Sequence, residues 1–321
     1  IDLISRGDSE RETITRSIIY AALAGKFAIA TAISRKIDDL QLNYPVANLI
    51  IFAEAVKKRE KSEILRAFER HKKNFPEIFK IVTEFWILII DNKKDEAFRL
   101  INSISINNEA QLQIINYNQL LAYVYFNEYE QAKTLYENME FSNFLFDSES
   151  ALALVQYFQK YKESGVSDSI ISKAWSASEN TYYIQAFKDK LSNGGVSDDI
   201  RITPYKQIAE VFFRWSQTIQ RAEQNIINKS FYLSLANFTD PTSSFLKFNL
   251  ATILSDTGNY RLSKEILDNF SNDDVFFMDS IVENSFAIEQ LDNNEKALEY
   301  IQQFIIDGYA NARLLKTYGS L

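Results

Sequence analysis

Apolar residues of this chain recur at helical spacing, and short polar turns separate one apolar stretch from the next. The segment 125–140, YFNEYEQAKTLYENME, has a turn at Asn127 and Glu128 between two helical stretches. The chain has only 8 Gly and 4 Pro in 321 residues, which disfavours an all-β fold and long linkers. The pattern predicts an all-α protein built from antiparallel helical hairpins.

The hairpin at 125–140 is one member of a repeat with a step of 33 to 35 residues. The second helix of each unit places a small residue where two antiparallel helices approach most closely, because a bulky side chain there would push them apart. Ala132 and Ser230 are 98 positions apart, close to three periods, and we expect about nine units in all. The residues at this place, with Ile64 as the large exception, are Ala30, Ile64, Ala97, Ala132, Ser230, Ser263 and Ala297.

Residues that favour the end or the start of a helix stand at fixed places in these units. Gly25, Asn127 and Gly258 precede the second helix, where a left-handed backbone conformation can end the first one. Prolines fall between units, where one helix must stop and the next begin. These prolines are Pro45, Pro76 and Pro241.

The phrases AGKFAIA, FNEYEQA, TGNYRLS and DNNEKALEYI resemble the turn and second helix of tetratricopeptide repeats, and the step matches the period of that family. The resemblance implies a right-handed α-solenoid of stacked hairpins. Lys61 and Lys94 depart from the pattern by replacing the turn aromatic, and residues 142–203 are degenerate. We therefore divide one continuous solenoid into N-terminal repeats at 1–141, degenerate repeats at 142–203 and C-terminal repeats at 204–321.

The segment ITPYKQIAEVFFRWSQTIQ and the repeats after it are similar to secreted alphaproteobacterial members of this family, which have no assigned activity. That similarity implies a periplasmic location or a membrane tether on the periplasmic side, with the cytoplasm as the alternative. Ile1 is not a Met and ANARLLKTYGSL stops as a helix begins, so we interpret the chain as an excised fragment with a truncated last repeat. Leu314, Leu315 and Tyr318 would then be uncovered, and a homo-oligomer through this helix is possible.

Residue types that carry chemistry are scarce. The chain has no Cys and a single histidine, His71, so thiolate sites and paired-histidine metal sites are excluded. Gly194 and Gly195 lack the spacing and the Lys of a phosphate-binding loop, and the acidic pair Asp273 and Asp274 lacks the spacing of a calcium loop. We predict no catalytic residue, no metal and no cofactor.

The net charge of −8 disfavours nucleic acid as the main partner. Charge is uneven, with a local +5 from Lys57 to Lys80 and a local −7 from Asp268 to Lys296. These runs are either solvated helix surfaces or patches that select partners, and the basic run could bind a polyanion. No apolar run approaches the roughly 18 to 20 residues of a membrane span, so none is predicted.

Stacked hairpins have a concave inner face, lined mainly by the first helix of each unit, along which a peptide or a partner helix can lie. We therefore predict a noncatalytic protein-binding scaffold, and the alternative is a docking or regulatory arm of a larger multidomain enzyme. A competing interpretation of the inward side chains is that they form the core between hairpins. The residues predicted for the partner-binding groove are Trp86, Tyr117, Leu121, Arg214, Arg221, Phe245 and Phe248.

Overall fold

The structure, a computed structural model, describes residues 8–104, 108–139, 143–146, 149–177, 184–186, 188–189, 201–219 and 225–321. These residues form helices and turns, and no β-strand occurs among them. Helices that are neighbours in sequence pack against each other, as in an α-solenoid. The all-α class is confirmed, and the right hand of the superhelix stays a prediction.

The helices alternate with turns of a few residues over most of the described chain. Short 3₁₀ turns lie at Lys72–Asn74 and Asn143–Phe146, and a π turn lies at Ile305–Tyr309. The helices are α1 Asp8–Leu23, α2 Phe27–Asp39, α3 Pro45–Lys58, α4 Lys61–His71, α5 Glu77–Ile90, α6 Lys94–Asn102, α7 Glu109–Tyr125, α8 Tyr129–Glu137, α9 Glu149–Lys160, α10 Ser164–Ala177, α11 Pro204–Thr218, α12 Ile226–Thr239, α13 Ser244–Asp256, α14 Tyr260–Leu267, α15 Phe277–Leu291, α16 Asn294–Phe304 and α17 Ala312–Ser320.

Left-handed backbone conformations recur in the turns inside the hairpins. The three turn residues predicted from the pattern are confirmed, because φ is 70° at Gly25, 58° at Asn127 and 77° at Gly258. The same conformation therefore ends the first helix whether or not a glycine is present. Further turn residues with positive φ that the pattern did not single out are Arg59 at 56°, Asn92 at 62° and Lys162 at 61°.

The recurring place in the second helix is buried in every unit where it was identified, including at the large residue Ile64. The structure adds a member inside the degenerate segment, Ser167 of α10, which lies 35 residues after Ala132. Its Oγ donates to the carbonyl oxygen of Val155 at 3.3 Å, and Ser263 Oγ donates in the same way to Ala251 at 2.8 Å. The helices α9 and α10 are therefore a regular hairpin of the repeat.

The chain divides into two compact units, each made of two segments. Unit 1 comprises Ile1–Phe126 with Ile202–Pro241, and unit 2 comprises Asn127–Arg201 with Thr242–Leu321. This division differs from the three consecutive segments drawn from the repeats, whose boundaries stay a prediction. The difference arises because α11 and α12 pack back onto α1, α3 and α5, far earlier in the chain.

In unit 2 the final helix α17 packs on α15 and α16. Leu314 was expected to be uncovered, and this expectation is wrong: the side chain is fully buried with Ile281, Val282 and Ile301. Leu315 and Tyr318 are 51% and 37% exposed. The helix is therefore docked through one face only, and association of two copies through the other face stays a prediction.

Candidate functional site

The first helices of the N-terminal hairpins, α1, α3 and α5, receive the α11–α12 hairpin in unit 1. We call this side of the three helices the first-helix face. The helix α11 packs on α5 and α3, whereas α12 packs on α3 and α1. Of the first helices to which the sequence assigned groove residues, α5 is thus covered in part by α11, which itself carries the predicted groove residue Arg214.

Aromatic side chains of α11 make the central contacts with this face. The ring of Trp215 stacks on that of Phe79 of α5, with centroids 5.6 Å apart, and lies 5.9 Å from Phe75. The ring of Phe212, one turn earlier, meets that of Phe52 of α3 edge-on at 6.2 Å. Offset and edge-on pairs of this kind add to the free energy gained from apolar burial.

Near the C-terminal end of α12, the ring of Phe238 contacts one aromatic ring and one cation from the N-terminal helices. Phe238 stacks on Phe27 at the start of α2, with centroids 4.0 Å apart and planes 6° from parallel. The Lys57 ammonium lies 4.2 Å from the centre of the Phe238 ring. Partial desolvation lowers the pKa of Lys57, and the ring face compensates for part of the lost hydration.

Trp86, Tyr117 and Leu121 are all buried. The indole Nε1 of Trp86 donates to Asn118 Oδ1 at 2.8 Å, and the amide of Asn118 donates to the carbonyl oxygen of Ile114 at 2.9 Å. These contacts place Trp86 between α5 and α7, inside unit 1. Their role in partner binding stays a prediction, and in this structure the three side chains are not accessible to one.

Arg214 of α11 is buried and is paired within its own helix. Its Nε and one terminal nitrogen lie 3.3 and 3.1 Å from Glu210 Oε1, one turn earlier. The guanidinium also lies 5.9 Å from the ring centre of Tyr117, so the structure brings two predicted groove residues together. Arg221 lies outside the described residues.

Phe245 and Phe248 belong to α13 in unit 2 and are buried there. Phe276, just before α15, contacts both. Its ring centroid lies 6.1 Å from that of Phe245, and its ring stacks on that of Phe248 with centroids 5.1 Å apart. In this structure both rings make core contacts between consecutive hairpins. Whether they also contact a partner stays a prediction.

Unit 2 has a group of charges that the sequence did not single out. Asp279 of α15 is fully buried and pairs with Arg313 of α17, whose guanidinium also lies 3.5 Å from Glu283. Burial, with a smaller contribution from the charge of Asp256, raises the pKa of Glu283 to about 7. The spacing of Asp279 and Glu283 by four residues places both on one side of α15, but only the fold reveals Arg313 as their partner.

The basic run from Lys57 to Lys80 is largely paired with carboxylates. Arg59, which is not in such a pair, lies over the ring of Tyr205 at 5.5 Å. Pairing reduces the positive potential that the run would offer to a polyanion. The pairs, at 2.5 to 2.9 Å except for Arg70, are Lys58 with Glu54, Lys61 with Asp91, Arg66 with Glu63, Lys72 with Glu69, Lys80 with Glu77 and Arg70 with Asp38.

Two wider properties of the described part of the chain bear on function. None of its helices is both long and apolar enough to cross a lipid bilayer. Within the same residues, no three His, Asp or Glu side chains are grouped so that they could hold a metal ion. No protein-family model matches the chain, and no curated protein matches it.

Proposed function

We propose that this chain is a noncatalytic scaffold that binds a helical segment of a partner protein through the first helices of its hairpins. The observation that carries the proposal is the packing of α11 and α12 on α1, α3 and α5 through aromatic rings. Recognition of an amphipathic helix by a groove uses the same arrangement, with a few large side chains spaced along one face. Aromatic residues are also the residues that most often dominate the free energy of such contacts.

The step of the repeat and the recurring turn geometry support a place in the tetratricopeptide-repeat family, which we propose on these grounds. In that family first helices line the inner face, which fits the side of unit 1 that accepts helices. The periplasmic or membrane-tethered location is likewise a proposal, and it rests on the resemblance of the α11 segment alone.

In unit 2 the first helix α15 exposes Phe286, of which 37% is accessible, three residues after Glu283. An accessible aromatic ring on a first helix suits a partner helix that presents a large apolar side chain. Unit 2 therefore offers an accessible aromatic ring on one of its first helices.

A selection from a displayed library of helical peptides would test the scaffold proposal. We expect enrichment of a related set of sequences with large apolar residues three or four positions apart, since one helix face makes the contact. Hydrogen exchange of the complex should show protection in first helices such as α13 and α15. Repeated rounds without enrichment, or protection confined to second helices such as α14 and α16, would contradict the proposal.

A further inference from the structure

The α11–α12 hairpin is held together by contacts of its own. Trp215 of α11 stacks on Tyr232 of α12 with ring centroids 4.1 Å apart. The side chain of Thr203 caps α11 by accepting a hydrogen bond from the Lys206 N–H. These interactions do not involve α1, α3 or α5, so they persist when the hairpin leaves the first-helix face.

The buried ion pair of the hairpin is also internal. Arg214 and Glu210 both belong to α11, so separation of α11 from α5 does not break the pair. Breaking a buried pair would leave an uncompensated charge, which is among the larger costs of opening an interface. Undocking of this hairpin keeps the pair together but separates the Arg214 guanidinium from the ring of Tyr117 of α7.

The face beneath the hairpin has an aromatic cluster of its own. Phe52 of α3, Phe68 of α4 and Phe75 lie with ring centroids 5.7 to 6.0 Å apart. The cluster is formed by residues 52–75 alone, and Phe212 and Trp215 add to its edge. A helix from another protein with rings at the same spacing would meet the same cluster.

From these contacts we propose that the α11–α12 hairpin is a built-in competitor of the partner, docked on the first-helix face and exchangeable with an external helix. The inference rests on the proposed scaffold function and adds a regulation to it. In the free chain, α11 and α12 cover the first-helix face. A partner with two aromatic residues on one helix face binds there by replacing α11 and α12. The chemical class of ligand is an aromatic-bearing helical hairpin or helix.

The probe that tests the proposal is a labelled peptide with the sequence of residues 204–239, added to the intact chain. We expect saturable binding, measured by fluorescence anisotropy. The chain variant Phe238→Ala, which loses the stack on Phe27, should bind the peptide about tenfold more tightly, because apparent affinity rises with the fraction of open molecules. The control is Ile306→Ala in the π turn of unit 2, where the side chain is 70% exposed, and it should leave the affinity unchanged.

A chain in which a crosslink holds the α11–α12 hairpin on the first-helix face should give the opposite result. The protein has no Cys, so Arg59→Cys and Tyr205→Cys introduce its only two thiols, and a short bismaleimide can join α11 to the end of α3. The crosslinked chain should not bind the peptide, whereas either single variant treated with the reagent should. A peptide with Phe212→Ala, Trp215→Ala and Phe238→Ala should not bind any variant.

Two results would overturn the proposal: equal binding by the crosslinked and wild-type chains, or no binding by the Phe238→Ala chain. Neither result decides the scaffold function, because the library selection also includes the surfaces of unit 2. Enrichment in the selection with failure here would retain the scaffold and reject the competitor.

Discussion

Lys162, in the turn between α9 and α10, adopts a backbone conformation that suits glycine. Its φ of 61° lies in the left-handed region, where a Cβ atom crowds the following carbonyl oxygen. The conformation is maintained because the Lys162 and Glu163 N–H groups donate to Gln159 O and Phe158 O at the end of α9. The repeat thus imposes on a lysine the geometry that Gly258 adopts without strain.

We expect Lys162→Gly to stabilise the protein, since it removes the Cβ from a strained position. The gain in the free energy of unfolding should be about 1 kcal/mol after the larger entropy of glycine in the unfolded chain is counted. Urea denaturation followed by circular dichroism measures the change. Lys162→Ala, which retains the Cβ, serves as the control and should change stability little.

The reverse substitution, Gly258→Ala, should cost about 1 kcal/mol. No atom lies within 4 Å of the position that a Cβ would take at Gly258, so the backbone conformation alone is responsible for this cost. If Lys162→Gly is neutral while Gly258→Ala is destabilising, the strain assigned to Lys162 is absent.

Arg313 of α17 pairs with two carboxylates of α15, the buried Asp279 and the more exposed Glu283. Asp279 is fully buried, whereas the Glu283 side chain retains 22% of its surface. The charges around Glu283 are Arg313 from α17, Asp279 from its own helix and Asp256 at the end of α13. Desolvation, with a smaller contribution from the negative charge of Asp256, raises the pKa of Glu283 to about 7.

The raised pKa of Glu283 predicts a dependence of stability on pH. The folded state binds a proton more tightly than the unfolded state, whose pKa is near the ordinary value of 4.5. The stabilising contribution of Glu283 to the free energy of unfolding is therefore fully present below about pH 4.5, and it is lost as pH rises to about 7. At pH 8 the loss is at most about 3 kcal/mol, given 1.36 kcal/mol for each unit.

Glu283→Gln retains the shape of the side chain and removes the titration. We expect it to match the wild type at pH 4 and to exceed it in stability at pH 8, as measured by urea denaturation at each pH. Glu289→Gln, six residues along α15, is the matched control. A Glu283→Gln chain that is less stable than wild type at pH 8 would show that the ion pair with Arg313 outweighs desolvation.

Local features of the hairpins could be predicted from the sequence because they depend on residues close in the chain. Glycine and asparagine at Gly25, Asn127 and Gly258 have a backbone preference that identifies a turn. Lys162 has no such preference, so Ser167, five residues later, was missed. Both nevertheless fit the period, because they lie 35 residues after Asn127 and Ala132. The hairpin was recoverable only from its spacing after Ala132, without a supporting turn residue.

The return of α11 and α12 to the N-terminal helices could not be predicted in the same way. Period and turn chemistry describe contacts between neighbours, whereas Trp215 meets Phe79 across more than a hundred residues. Aromatic residues at helical spacing, such as Phe79 in α5 and Trp215 in α11, occur both in a core and on a binding surface. The placement of a groove on the first helices therefore stays a prediction, and the packing of α11 and α12 on α1, α3 and α5 was not foreseen.

The two units of the molecule are each built from segments that are separated in sequence. Residues 202–241 complete unit 1, so the N-terminal hairpins acquire part of their core only when this later segment has docked. Local opening depends on buried contacts, and α11 and α12 make such contacts with the N-terminal helices α1, α3 and α5. Stability should therefore follow the contact units and not the order of the repeats.

Paired core substitutions test this statement. Phe212→Ala in α11 should destabilise unit 1 by about 3 to 5 kcal/mol, and Ile301→Ala in α16 should destabilise unit 2 by about 2 to 5 kcal/mol. Hydrogen exchange resolved by segment should then show that Phe212→Ala lowers protection in α3 and α5, more than 120 residues away, but less in α15 and α16. Ile301→Ala should give the reverse pattern. If Phe212→Ala affects the nearby α13 and α14 more than α3 and α5, sequence neighbourhood rather than the contact unit governs stability.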